Sequence, residues 1–97
     1  MIHAKKIRSE YFEAMKAGKK LFELRRRDPA EPGFVVGDYL ALNEWKDERF
    51  TGRCLLARIE YVLDAEYSCG TLKDDCVALG LRIMPLSGED LFALRKD

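Results

Sequence analysis

Histidine occurs once in the 97 residues, at position 3, and the three cysteines, Cys54, Cys69 and Cys76, include no pair two residues apart. A structural zinc site takes four sulfur or nitrogen ligands at such spacings, so no metal and no cofactor are expected. An odd cysteine set with no framework suits a reducing compartment, where thiols behave as small hydrophobes. No apolar run nears the roughly 18 residues that span a bilayer. Met1-Ile2-His3-Ala4-Lys5-Lys6 lacks the apolar stretch of a secretory signal. The expected location is the cytoplasm, with no membrane partner. Internal repeats and low-complexity stretches are missing too. Net charge is zero, which argues against a surface that holds polyanions indiscriminately.

The charge that is there is unevenly placed. Residues 1–27 carry nine lysines and arginines against three glutamates, and the rest of the chain carries the opposite excess. A molecule polarised in this way steers an anionic ligand to one side without being basic overall. The alternative is that these cations are spread over a solvated surface. Hydrophobic residues at 47% and charged residues at 35% are ordinary for a folded domain, and the length suffices for one domain with one core.

The opening Ile2 to Ile7 reads as a short strand leading into a helix, with Ser9 as N-cap and Glu10 and Glu13 in the first turn. Ile7, Tyr11 and Met15, with Phe12 alongside, form an apolar stripe at helical spacing. Gly18 ends the helix, since glycine reaches the left-handed conformation of a C-cap. The period then becomes two. Phe22 and Leu24 take one face of a half-buried strand, and Leu21, Glu23 and Arg25 the other. Two prolines and a glycine make residues 28–33 a loop, and Gly37-Asp38 is a turn. Alternation resumes from Tyr39 to Trp45, with Leu40 and Leu42 sharing a face. Asp47 to Gly52 is a connection. A long strand runs to about Leu63, with Leu55, Ala57, Ile59, Tyr61 and Leu63 on one face. Residues 64–75 form a loop with a helical turn, and Val77 to Ile83 is the clearest strand. Pro85 ends it. Ser87-Gly88-Glu89-Asp90 has the form of a capping box before Leu91, Phe92 and Leu94, which predicts a short C-terminal helix. The predicted architecture is mainly β with flanking helices (α+β): about five mostly antiparallel strands that curl to protect their edges.

Gly18-Lys19-Lys20-Leu21-Phe22-Glu23-Leu24-Arg25 resembles the Gly-x-Lys-x-x-Glu-x-Arg signature of the ASCH superfamily, at the turn from first helix into strand. Further pieces fall in the order of a small bacterial and phage subfamily of ASCH-like domains of unknown function. They are Tyr11-Phe12, Val36-Gly37-Asp38, Glu44-Trp45, Phe50-Thr51-Gly52-Arg53, Ile59-Glu60-Tyr61-Val62-Leu63 and Val77-Ala78-Leu79-Gly80-Leu81. The resemblance spans residues 1–84, leaving 85–97 as an extension, and the loop from Pro29 to Phe34 is a few residues longer than usual. It implies a PUA-like β pseudo-barrel with the first helix packed beside it and the signature lining a cleft. It also implies an RNA or nucleotide-like ligand, although sites are grafted onto folds.

The candidate ligand-binding residues are Gly18, Lys19, Lys20, Glu23, Arg25 and Trp45. Gly18 serves either a close backbone approach or simply the helix cap. Lys20 offers an ammonium to phosphate or a base carbonyl. Glu23 and Arg25 share a strand face and pair so as to hold the guanidinium fork open, or else they are an exposed pair worth little. Tyr11, Tyr39, Trp45 and Tyr67 are available for stacking a base, Trp45 foremost. Whether the protein is an enzyme is left open. The leading expectation is a non-catalytic module for RNA or a nucleotide. One alternative is an amidohydrolase on a modified nucleoside, with Lys20 as nucleophile or base positioned by Glu23. The acetylcytidine-cleaving members of the superfamily carry threonine where this chain has Glu23, which counts against that alternative. A further alternative is a protein-interaction module.

Overall fold

The computed structural model describes residues 1–85; the predicted C-terminal helix therefore lies outside the described residues. β1 (Ile2–Arg8) runs straight into α1 (Ser9–Lys16), followed by β2 (Phe22–Arg26), β3 (Tyr39–Lys46), β4 (Arg49–Asp64), a 3-10 turn at Ala65–Tyr67, and β5 (Cys76–Ile83). The five strands form one sheet in the order β1-β3-β4-β5-β2. β1 pairs with β3 in parallel, and the other pairs are antiparallel. This is the expected PUA-like pseudo-barrel with a helix beside it. Its two edge strands, β1 and β2, are those that flank the helix in sequence.

The core gathers Ile7 from β1, Phe12 and Met15 from α1, Leu40 and Leu42 from β3, Ala57 and Ile59 from β4, and Val77, Leu79 and Leu81 from β5. Each large aliphatic side chain so buried contributes about 1.5–3 kcal/mol. Tyr11, expected on the helix's buried stripe, is instead 43% exposed.

Both ends of α1 are settled locally. Arg8, not Ser9, is the N-cap and supplies no side-chain bond. The Ser9 hydroxyl donates instead to Glu44 Oε2 at 2.8 Å, tying the helix start to β3. At the other end Gly18 has φ +75°, its N–H donates to the Met15 carbonyl, and the Lys19 N–H donates to the Ala14 carbonyl. That is a Schellman termination, which needs the left-handed conformation at the glycine.

Three features depart from simple alternation. The β3–β4 hairpin turns tightly on Asp47 and Glu48, both with positive φ, so β4 starts at Arg49 rather than Gly52. A bulge between Ile59 and Tyr61 interrupts the β4–β5 register and reverses the facing of the residues after it. Ala57 and Ile59 are buried while Tyr61 is 63% exposed, lying across Gly80. In β2 the apolar side chains are the outward ones: Phe22 and Leu24 are half exposed, whereas Glu23 is buried opposite Leu79.

Candidate functional site

The inward placement of Glu23 creates the site. A carboxylate turned into a barrel must be paired, since leaving a buried charge alone is expensive. Here both oxygens are taken. Lys20 Nζ lies 2.9 Å from Oε1, and Arg25 Nη2 lies 2.6 Å from Oε2. The Schellman turn makes the first contact possible, because it sends Lys20 back over the start of β2. Strand alternation makes the second, because Glu23 and Arg25 share a face.

Each cation also does a second thing. Lys20 Nζ donates to the Phe22 carbonyl at 2.9 Å and sits between two aromatic rings, 5.2 Å from the Tyr11 centroid and 4.9 Å from that of Phe22. Arg25 reaches across to the opposite edge strand and donates to the Lys6 carbonyl at 2.8 Å. Arg25 Nε is buried and has no hydrogen-bond partner among the described residues. Arg25 therefore ties together the two open edges of the sheet, β2 and β1.

Two of the hollows along these edges involve β2. One, of about 420 Å³, is lined by Tyr11, Lys20, Phe22, Glu23 and Leu24, within the size range of small-molecule sites, about 300–1,000 Å³. The other, of about 210 Å³, is lined by Lys5 of β1, Arg26 of β2, and Arg27 with the loop to Phe34. The first is lined by Lys20 and Glu23 of the signature, but not by Arg25, which points to the seam with β1, and its aromatic walls are Tyr11 and Phe22.

Of the sequence-predicted residues, Lys20, Glu23 and Arg25 are brought into mutual contact. Gly18 stands behind them as the helix cap. A Cβ there would meet nothing within 4 Å, so its conformation, not a close approach, is what requires glycine. Lys19 is exposed and does not line the groove. Trp45 does not line it either: it lies beneath Lys6 Nζ, 4.3 Å from the ring centroid, with Phe50 edge-on at 4.9 Å. Phe22 is the wall that sequence reasoning passed over, because its outward direction in β2 was not foreseen.

A second polar cluster was also missed. Glu44 of β3, almost fully buried, accepts from Ser9 Oγ at 2.8 Å, Thr51 Oγ1 at 2.5 Å, Arg53 Nε at 2.8 Å and Arg53 Nη2 at 2.7 Å. Arg53 also pairs with Glu13 of α1 and lies 4.6 Å from the Phe12 ring centroid. The Arg53 hydrogen bonds, outweighing the cost of burial and helped by the Thr51 and Ser9 hydroxyls, bring the Glu44 carboxyl down from 4.5 to about 2. The signal was present, since Glu44 continues the Leu40, Leu42 alternation inward. A smaller cluster joins His3 Nε2 to Asp38 Oδ2 at 2.9 Å. Asp38 also takes the terminal amine, and with His3 as the main cause its carboxyl lies below the ordinary value. Among the described residues no group of histidine, cysteine and acidic side chains is arranged to hold a metal ion, and no helix is long and apolar enough to cross a membrane.

Comparison with known proteins places this geometry. A protein of Escherichia phage P2, described as "Uncharacterized 12.9 kDa protein in GpA 3'region", is 41% identical over 63 residues, which is 65% of this chain and 55% of the relative. The chain thus spans little more than half the length of that curated relative. Among solved structures, a mutant of the protein ZmASCH from Zymomonas mobilis superposes with a TM-score of 0.59 at 16% identity, over 99% of this chain and 80% of that one. Hypothetical protein PH0355 gives 0.56 at 17% identity, over 87% of this chain and all of the other. At such identities the likeness is one of fold, and the fold is ASCH-like. Residues 2–81 match the family described as "Domain of unknown function (DUF3850)", and the chain is a member of that family.

Proposed function

We propose that the protein is a binding module for RNA or a nucleotide, with the groove bounded by Tyr11, Lys20, Phe22, Glu23 and Leu24 as its ligand site. The observation that carries this reading is a groove with two aromatic walls that holds the Lys20 ammonium and the Glu23 carboxylate, with the Arg25 guanidinium paired to the same carboxylate just outside the lining. Two cations against one anion leave an excess positive charge for a phosphate, and aromatic faces suit a base of any sequence. The ASCH-like fold agrees with such a role without assigning it.

The hydrolase alternative asks more of the same residues. Lys20 would have to leave both the Glu23 carboxylate and the Phe22 carbonyl before its nitrogen met a carbonyl carbon. The interaction-module alternative draws on the exposed Phe22, Leu24 and Tyr61 side chains. Binding of short single-stranded RNA, measured by titration calorimetry at two salt concentrations, tests the leading reading. It predicts affinity that falls with salt and drops about tenfold or more in Lys20→Ala and Arg25→Ala. Binding indifferent to both substitutions would contradict it.

A further inference from the structure

The backbone of β2 adds a reading device to the groove. Leu81 N–H donates to the Leu21 carbonyl, and Arg27 N–H donates to the Asp75 carbonyl. The register between them is unbroken, with Glu23 opposite Leu79 and Arg25 opposite Val77. In an antiparallel ladder the bonded and non-bonded pairs alternate. The odd-numbered residues of β2 therefore bond to β5, and Phe22, Leu24 and Arg26 turn their N–H and C=O groups to the open edge. The Phe22 carbonyl is already occupied by Lys20 Nζ. The Leu24 N–H and C=O are free of the ladder, and Leu24 lines the groove.

Resting on the binding function proposed above, we propose that the Leu24 main chain recognises the donor–acceptor edge of a nucleobase lying against Phe22 in the groove, so that the ligand is a base-bearing nucleotide and not a phosphate alone. One residue's N–H and C=O on a strand edge present a neighbouring donor and acceptor. Each nucleobase offers the complementary pair on its Watson–Crick edge, the edge by which unstacked bases are commonly read. Lys20 and Arg25, on either side of Leu24 in sequence, supply the charge for the attached phosphate. An extended peptide adding to this edge needs several consecutive main-chain groups. That run is interrupted here, because Lys20 caps Phe22 and the Arg25 side chain crosses from β2 to the Lys6 carbonyl of β1. The uninterrupted stretch suits a planar heterocycle better than a strand.

The test is a titration of the 15N-labelled full chain with the four nucleoside 5′-monophosphates, with ribose 5-phosphate as a base-free control and a hexapeptide of valine and threonine as a strand probe. The expected result is a downfield shift and slowed solvent exchange of the Leu24 amide with nucleotides, absent with ribose 5-phosphate, while the ladder-bonded Glu23 and Arg25 amides move less. Leu24→Pro removes an N–H that no strand uses, at an edge position where proline is tolerated, while fixing φ there and favouring the extended conformation that Glu23 already has in β2. It should weaken nucleotide binding about fivefold to tenfold relative to Leu24→Ala, which keeps the N–H. Should Leu24→Pro fail to fold, the native amide shifts still decide. Equal shifts from ribose 5-phosphate, or equal affinity of the proline and alanine variants, would overturn main-chain reading and leave nucleotide or phosphate binding standing. Peptide-induced shifts of Leu24 and Arg26 together would overturn it in favour of strand addition. Absence of any nucleotide binding would remove the binding function itself.

Discussion

Glu23 and Glu44 are both glutamates on strands, both buried, and both gripped by arginine, yet their surroundings differ in one respect. Glu44 is saturated: two hydroxyls and two arginine nitrogens fill its oxygens, and Arg53 is shared with a second carboxylate, Glu13. Anions outnumber cations, and the cluster links α1 to β3 and β4. Glu23 is held by two cations beside a groove, with an arginine Nε that lacks a partner among the described residues. The lesson is that a buried ion pair alone does not mark a binding site. What separates the two is whether the cations have capacity left.

The largest effect on stability belongs to the saturated cluster. Arg53→Ala would leave the buried Glu44 carboxylate with only the Ser9 and Thr51 hydroxyls and should lower stability more than any groove substitution, read from urea unfolding. The groove cluster should respond the other way round. Arg25→Ala loses its bonds to Glu23 and to the Lys6 carbonyl, but Lys20 still holds Glu23, so the fold should persist with a smaller loss of stability while RNA binding drops. A loss of stability in Arg25→Ala as large as that in Arg53→Ala would erase the distinction.

Acid sharpens the same comparison. Because the folded Glu44 carboxyl lies near 2, below its ordinary 4.5, its contribution is fully present above pH 4.5 and is lost as pH falls towards 2. Unfolding free energy should therefore decline across that window in the wild type and more weakly in Glu44→Gln, which starts from a lower value. The smallest effect is expected at Gly18. Alanine there has space, but it must adopt φ +75°, which should cost about 1 kcal/mol. Ligand affinity should fall only as far as the altered helix end shifts Lys20.

The fold was largely legible in the sequence because its signals are local. A helical stripe ending at glycine, a proline-rich loop and the Val77 to Ile83 alternation each state their own structure. The bulge after Ile59 was not legible, since an inserted residue leaves no mark in a pattern of alternating side chains, and Tyr61 was placed on the wrong face in consequence. In the site, Lys20, Glu23 and Arg25 were found through the signature, and their contacts follow from the turn and the pleat. Phe22 was missed and Trp45 favoured because aromatic residues look alike until the direction of β2 is known. An edge strand next to an open seam can bury charge and expose leucine, the reverse of what hydrophobicity suggests. The Glu44 cluster brings together residues 9, 13, 44, 51 and 53, and only the packing of α1 on the sheet shows that they meet.

On the proposed reading, spare cationic capacity at the groove, rather than ion pairing as such, sets the ligand site apart from the Glu44 cluster. Chemical-shift mapping of the full chain with a single-stranded RNA hexamer tests it most directly. The perturbed amides should cluster at Tyr11, Lys20 and residues 22–25, with Glu44 and Arg53 unmoved. Shifts centred on Glu44 and Arg53, or a bound RNA that leaves the groove amides untouched, would contradict it.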